Sequence, residues 1–191
     1  MTDQDVRSRV QELAWTARHH HGGGRRPGLV LGSALTAMAL MAGVFYSFSV
    51  AVMTGLAKVD DRTFVDTMQR INRAIQNPMF FLTFAGALVL TAGAAVQQRR
   101  HGPVAAARWV VAALVLYALV LAVTFGINVP LNDQLDRAGD PDRIADLAHV
   151  RTRFEGPWVA ANLVRTLLST ASVAALARAL FLHARSTTRD R

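Results

Sequence analysis

The 191-residue sequence has no cysteine and only 13 acidic residues, and those acidic residues are missing from four long stretches of the chain. The lack of cysteine excludes disulfides, a thiolate nucleophile, iron–sulfur clusters and zinc held by sulfur. The sequence also lacks a glycine-rich phosphate loop and the GxGxxG pattern, so it gives no support to a nucleotide site. Apolar residues, in contrast, make up 52% of the chain.

These apolar residues are concentrated in runs that are long enough to cross a membrane. Residues 29–57, 78–96 and 109–132 contain no charge, and residues 156–177 contain only Arg165. About 20 apolar residues span the hydrocarbon core of a bilayer. We therefore predict an all-α fold, an integral membrane four-helix bundle of two hairpins, with the lipid bilayer as its surroundings.

The charged residues predict the topology of this bundle. The membrane domain covers residues 29–185, between an N-terminal tail (1–28) with an amphipathic helix and a Gly/His linker, and a C-terminal tail (186–191). Twelve Lys and Arg residues flank one side of the spans and eight flank the other. The positive-inside rule then gives a multi-pass protein of the cell membrane with both termini in the cytoplasm. The net charge of +8 is thereby explained without nucleic acid as a partner.

Both connections on the opposite, outer side have apolar residues at helical spacing. In "DDRTFVDTMQRINRAIQNP" these are Phe64, Met68, Ile71 and Ile75. In "GDPDRIADLAHVRTRFEGP" they are Ile144, Leu147, Val150 and Phe154. Each connection ends at a proline that is expected to begin the next span. The predicted fold therefore has amphipathic helices in both outer connections.

Polar residues inside the spans fall on single helix faces. On the fourth span, spacings of i, i+3, i+4 and i+7 relate Asn162, Arg165, Thr166 and Ser169. On the third span, one stripe contains Tyr117, Thr124 and Asn128, and on the first span Tyr46 and Ser49 are three apart. Because such faces avoid lipid, we expect them to converge in the outer half of the bundle.

Arg165 is the one charge inside a span. An intramembrane Arg costs at least about 2.5 kcal/mol on insertion scales, which makes it a candidate for function. The alternative is a purely structural pairing, for which Glu155 is the expected partner.

The segment "FGINVPLNDQLD" ends an uncharged span with two asparagines around a proline. Backbone carbonyls freed by Pro130, and the amides of Asn128 and Asn132, need partners inside the protein or in a wet cavity. We expect this segment to form the rim of that cavity.

Metal binding has little support. The tract His19–His21 is followed by glycines and fits a solvated linker, and His149 with Asp146 supplies only two ligands. We predict no metal site.

Three blocks of the sequence resemble a known family. "FYSFSVAVMTGLAKVDDRTFVDTMQRINRAIQNPMF", "TFGINVPLNDQLD" and "RFEGPWVAANLVRTLLST" are similar to the anthrone oxygenase-like membrane proteins, over residues 29–182. Most bacterial members of this family are uncharacterised, and their shared domain is one of unknown function. The resemblance implies a four-helix membrane protein. It also implies, from relatives in fungal polyketide pathways, oxidation of an anthrone to an anthraquinone by O₂ without a bound cofactor.

The resemblance also implies which polar positions to consider. They are Asn72, Asn77, Asn128, Pro130, Asn132, Glu155, Trp158, Asn162 and Arg165. For such chemistry Arg165 would supply a cation for the enolate, and Glu155 or Tyr46 would supply a base. The positions assigned to substrate binding are Asn128, Asn132, Trp158, Asn162, Asn72 and Asn77. The expected walls of the slot, for which plain core packing is the alternative, are Met53, Phe45, Phe80, Phe81 and Phe125.

Three classes of function remain open at this point. The first is a cofactor-free oxygenase of a lipophilic phenol or anthrone-like aromatic, with O₂ as co-substrate. The second is a non-catalytic membrane protein that binds a lipid or quinone or stabilises a partner. The third is a small transporter, which would require a homo-oligomer because four spans enclose little space.

Overall fold

Four long helices and one short helix make up the computed structural model, which describes residues 25–189. Helix α1 is Arg25–Ser47, continued by a π-helical turn, Phe48–Val52, and by Met53–Leu56; α2 is Asp61–Ala74; α3 is Pro78–His101. Helix α4 is Val104–Val123, continued by a second π-helical turn, Thr124–Asn128, and by Val129–Arg137; α5 is Leu147–Arg189. The four long helices are each long and apolar enough to cross a membrane. The predicted all-α membrane bundle is confirmed, whereas the tail predictions for residues 1–24 lie outside the described residues.

The four long helices form a ring in which each packs on two neighbours. Helix α1 packs on α3 and α5, and α4 packs on the same two helices. Small side chains at the contacts allow the backbones to approach closely. The buried alanines of this core are Ala34, Ala87, Ala94, Ala95, Ala113, Ala175 and Ala179. Larger side chains such as Met38, Tyr117 and Leu176 fill the space between them.

The outward faces of these helices are apolar. Exposed large side chains occur on every long helix, and they include Leu29, Leu82, Val89, Val115, Leu119 and Leu167. In water such a surface would be an aggregation site, but in a bilayer it is the expected contact with lipid tails.

The two ends of the bundle differ. One, which we call the capped end, carries α2, the 3₁₀ turn Pro141–Arg143 and the last turns of α4. The other, the terminal end, holds the start of α1, the end of α5 and the short turn between α3 and α4. Asp60 precedes helix α2, and its carboxylate accepts a hydrogen bond from the N–H of Thr63 at 3.0 Å, as expected for an N-cap.

The capped end has its own apolar cluster. Its buried members are Met53, Leu56, Phe64, Val65, Met68, Leu135, Phe154 and Trp158. The side chain of Gln69 joins α2 to α4, because its Nε2 donates to the carbonyls of Leu135 at 2.8 Å and Gly139 at 2.9 Å. Helix α2 is thereby held across the end of the bundle.

The fourth span begins earlier than its proline suggested. Helix α5 starts at Leu147 and runs through Pro157 without a break. The helical residues of the second connection are therefore the first turns of α5. Proline removes one backbone hydrogen bond from a helix, but Phe154 and Trp158 on either side of it are anchored in the cluster at the capped end, so the helix continues.

Candidate functional site

Arg165 lies inside the bundle, as its position on a polar helix face predicted. Arg165 is 7% exposed. The guanidinium carbon lies 4.4 Å from the centroid of the Phe45 ring and 5.5 Å from that of Trp158. Its neighbours along α5, Leu163 and Leu167, are exposed to the outside. The cation is therefore enclosed by aromatic rings at a level where the surface of the bundle is apolar.

Among the described residues, one side chain hydrogen-bonds the guanidinium. Nη2 of Arg165 donates to Oδ1 of Asn162 at 2.8 Å. The amide nitrogen of Asn162 in turn donates to the carbonyl of Phe45 at 3.0 Å and to Oγ of Ser49 at 2.9 Å. Asn162 therefore fixes Arg165 relative to α1.

The charge of Arg165 has no counter-ion in the part of the chain that the structure describes. No carboxylate there lies within ion-pair distance of it, and its Nε has no hydrogen-bond partner. A buried charge without a partner is costly, and an anion that arrives beside it relieves that cost. The geometry therefore suits an anionic or strongly polarised oxygen as a ligand.

Two π-helical turns flank this cluster. In α1 the N–H of Met53 bonds to the carbonyl of Phe48, and in α4 the N–H of Val129 bonds to that of Thr124, each five residues back. The turn in α4 ends at Asn128, two residues before Pro130, whose missing N–H and bulky ring disfavour ordinary α-helical pairing with residue i−4. Such turns often occur at functional sites. Helix α4 therefore stays helical through Pro130, because the wider π-helical turn accommodates the proline.

The polar residues around that proline contact Trp158. Nε1 of Trp158 donates to Oδ1 of Asn132 at 2.8 Å, and Nδ2 of Asn128 lies 3.4 Å from the carbonyl of Trp158. Asn128 is buried, and its Oδ1 has no partner among residues 27–188. Asn128, Trp158, Asn162 and Arg165 thus form one continuous cluster, which we call the Arg165 cluster.

The two residues considered as bases do not belong to this cluster. Tyr46 is 57% exposed on the outer face of α1, because the adjacent residue, Phe45, occupies the inward position beside Arg165. Glu155 lies ten residues from Arg165, about 15 Å along the helix, and its carboxylate pairs with Arg151 at 2.7 Å. The expected pairing of Glu155 with Arg165 is therefore wrong, and the structure brings neither base to the cation.

The remaining predicted positions are separated from one another. Asn77 caps α3, since its Oδ1 accepts from the N–H of Phe80 at 3.0 Å. Asn72 is buried on α2 with its Nδ2 unpaired within the described chain. Of the expected walls, Phe81 and Phe125 are exposed on the outer surface, because their positions on α3 and α4 face away from the other helices.

The pair Asp146 and His149 has a structural explanation. Oδ1 of Asp146 accepts from the backbone N–H of His149 at 2.9 Å, which satisfies a free N–H at the start of α5. Within residues 25–189, no three carboxylate or imidazole groups lie together as metal ligands would.

Two features of the cluster were not evident from the sequence pattern. The contact of Phe45 with Arg165 depends on how α1 is rotated against α5, and only the i, i+4 spacing of Phe45 and Ser49 could have suggested it. The π-helical turn in α1 has no proline to predict it. Its position, which includes Ser49, is seen only in the folded backbone.

Comparison with known proteins gives one match. The family model described as Anthrone oxygenase matches residues 64–175, which is more than half of the chain and includes Asn128, Trp158 and Arg165. No curated protein and no solved structure matches the chain.

Proposed function

Since this chain belongs to the anthrone oxygenase family, we propose that it is a membrane oxygenase that oxidises a lipophilic phenol or anthrone-like aromatic with O₂. In this proposal Arg165 binds the enolate or phenolate oxygen of the substrate. The observation that carries it is a buried guanidinium with a free Nε and no carboxylate partner among the described residues.

The chemistry needs little from the protein beyond this charge. An anthrone that loses a proton from the methylene carbon opposite its carbonyl in the central ring becomes a conjugated enolate, and this electron-rich carbon reacts with O₂ to form a hydroperoxide. Loss of water from the hydroperoxide leaves a second carbonyl, so one anthrone and one O₂ give one anthraquinone and one water. Arg165 would promote the first step, because a nearby cation lowers the pKa of the acid that forms the anion.

The proton that the substrate loses would be transferred to water. Tyr46 and Glu155 do not reach the cation. Electrostatic stabilisation of an anion by preorganised groups is therefore the contribution that the Arg165 cluster supports. Asn162 acts in this scheme as a positioning residue, since both ends of its amide are already engaged. The free Oδ1 of Asn128 is an acceptor for a substrate hydroxyl.

The substrate requires a route to the cluster. A groove of about 560 Å³ opens at the capped end and has an apolar floor of Leu131, Leu135 and Phe154. The ring of Phe154 stacks on that of Trp158 with centroids 6.0 Å apart, and Trp158 contacts Arg165. In our proposal a flat aromatic molecule enters beside Phe154 and displaces the indole of Trp158 to reach the guanidinium.

A second candidate is a non-catalytic protein that binds a quinone or a related lipid. It is favoured by the absence of a described base beside Arg165, because a quinone carbonyl could accept a hydrogen bond from Nε without proton transfer. O₂ consumption distinguishes the two functions.

The deciding experiment compares Arg165→Gln and Arg165→Lys with the wild type in detergent. Gln keeps a hydrogen-bonding group without charge, whereas Lys keeps charge without the planar fork. The control is Arg178→Gln, which removes an exposed arginine from the same helix. O₂ uptake is measured with a panel of anthrones, naphthols and hydroquinones, and folding is checked by size-exclusion chromatography.

We expect Arg165→Gln to abolish O₂ uptake, Arg165→Lys to retain a fraction and Arg178→Gln to behave as wild type. The absorbance of a bound naphthol should also show its ionisation at higher pH in Arg165→Gln, by about one unit or more, equivalent to about 1.4 kcal/mol. If the wild type consumes no O₂ with any member of the panel, the oxygenase proposal fails and the binding function replaces it. If Arg165→Gln is fully active, the oxygenase remains and this site is wrong.

A further inference from the structure

A buried polar pair lies at the terminal end of the bundle, far along α5 from Arg165. Gln98 of α3 is 1% exposed and His183 of α5 is 8% exposed. Nε2 of Gln98 lies 3.3 Å from Nδ1 of His183. The imidazole also packs against α1, since a Cβ at Gly28 would lie 3.7 Å from its Nε2. Three helices therefore hold this pair in place.

One end of the Gln98 amide has no partner in the part of the chain that the structure describes. Oε1 is buried and makes no hydrogen bond with any described residue. The nitrogen and oxygen of an amide are assigned from the hydrogen bonds around them, and His183 can either accept or donate through Nδ1 according to its tautomer. Whichever way the amide is oriented, only one of its ends bonds to His183, and the other has no partner among the described residues.

The free end of the amide lies over Gly102. A Cβ built on Gly102 would be 1.9 Å from Oε1 of Gln98, so any larger residue at this position would displace the amide. Gly102 and Gln98 both line a groove of about 320 Å³ in the turn between α3 and α4. The other lining residues are Arg99, Val104, Ala107, Arg108 and Val111.

This groove has the features of an anion site next to lipid. Arg99 and Arg108 supply two positive charges. Helix α4 begins at Val104, and Pro103 before it provides no capping side chain, so the first N–H groups of a long helix are open to an acceptor. The groove extends along α4 from Val104 to Val111, which are apolar residues suited to an acyl chain.

We propose that the groove binds an anionic phospholipid, with the phosphate between Arg99 and Arg108 and the free amide end of Gln98 on the polar headgroup. The apolar lining along α4 favours a lipid over free phosphate, because an inorganic anion would make no favourable contact with apolar side chains. The site is separate from the Arg165 cluster, and the inference does not depend on the oxygenase proposal.

The test uses the full chain purified in detergent and native mass spectrometry, with phosphatidylglycerol as the anionic lipid and phosphatidylcholine as the zwitterionic one. A basic residue near a lipid surface contributes on the order of a factor of five in affinity. The double variant Arg99→Gln/Arg108→Gln should therefore bind phosphatidylglycerol about 30-fold more weakly. The matched control is Arg100→Gln, which removes an exposed charge from the same turn but outside the groove, and it should change affinity less than about twofold.

A second variant leaves every charge in place. Gly102→Ala pushes the amide of Gln98 out of position and should weaken phosphatidylglycerol binding about fivefold or more, a loss comparable to that of one charged contact. Its folding is checked by the melting temperature in lipid-free detergent, and Gln98→Leu replaces it if the protein does not fold.

Three outcomes would overturn the proposal. One is an equal loss for Arg100→Gln and for the double variant, which would mean diffuse charge attraction. Another is equal binding of phosphatidylcholine and phosphatidylglycerol by the wild type. The third is displacement of the lipid by millimolar inorganic phosphate alone, which would make the ligand a free anion.

Discussion

Arg151 is the side chain whose removal should most disturb the capped end. Its guanidinium bonds to Oε2 of Glu155 at 2.7 Å and to Oδ1 of Asp61 at 3.0 Å. It also donates to backbone carbonyls at the end of α1, namely those of Val59 at 2.8 Å, Leu56 at 3.4 Å and Ala57 at 3.3 Å. One cation thereby connects the last turn of α1, the start of α2 and the first turns of α5.

The cost of removing this side chain follows from these contacts. A hydrogen bond that involves a charged group contributes about 1.5–3 kcal/mol, and three of the five bonds are short. The side chains of Asp61 and Glu155 are 40% and 25% exposed, so water replaces part of what is lost. For Arg151→Met we expect a loss of about 2–4 kcal/mol in the free energy of holding the cap closed.

Arg151→Lys should lose less, about 1–2 kcal/mol, because one ammonium cannot reach both carboxylates and the carbonyl of Val59 together. The control is Arg70→Met. Arg70 pairs with Asp66 on the surface of α2 and its side chain is 75% exposed, so its removal should have no measurable effect.

Amide hydrogen exchange in detergent, read by mass spectrometry, measures the opening of the cap directly. In Arg151→Met, peptides from residues 59–75 should exchange about 30-fold faster or more, the factor that corresponds to about 2 kcal/mol. Peptides from the membrane core should be unchanged. Equal exchange in Arg151→Met and Arg70→Met would refute the reasoning, and so would a uniform acceleration over the whole bundle.

Three further outcomes can be checked. Asn132→Leu leaves the buried indole N–H of Trp158 without its acceptor and should destabilise the protein by about 1–3 kcal/mol, seen as a lower melting temperature, whereas Asn132→Asp should be close to wild type. The hydroxyl and backbone N–H of Thr63 lower the pKa of Asp60 below its ordinary value of 3.8. The stabilisation by this cap is therefore fully present above that value and is lost as the pH falls through the lower folded-state pKa; Asp60→Asn should flatten this acid-side fall in melting temperature, and an unchanged fall would contradict it. Reporter fusions at the C-terminus and in the connection 97–108 should both be active in the cytoplasm, and periplasmic activity would reverse the topology that the positive-inside rule predicts.

Hydropathy and helical spacing were sufficient to predict the bundle and its buried polar faces. In a bilayer the backbone N–H and C=O groups must be hydrogen-bonded within the protein, so uncharged runs of about 20 residues become spanning helices. Polar residues that share a helix face turn inward for the same reason. Asn162, Arg165, Thr166 and Ser169 are all buried, as their spacing predicted.

The sequence could not determine which side chains contact one another between helices. Tyr46 and Phe45 are adjacent, and both spacings to Ser49 fit a helix face. Phe45 lies inward because of the rotation of α1 against α5, and that rotation depends on packing along the whole contact and on a π-helical turn with no sequence signal. Glu155 could pair with either Arg151 or Arg165 by charge alone, and Arg151 is the partner because it lies one helical turn away. The sequence thus determined that Arg165 is buried. Only the tertiary structure showed that none of the described carboxylates pairs with it, because a counter-ion depends on the neighbouring helices and on no local pattern.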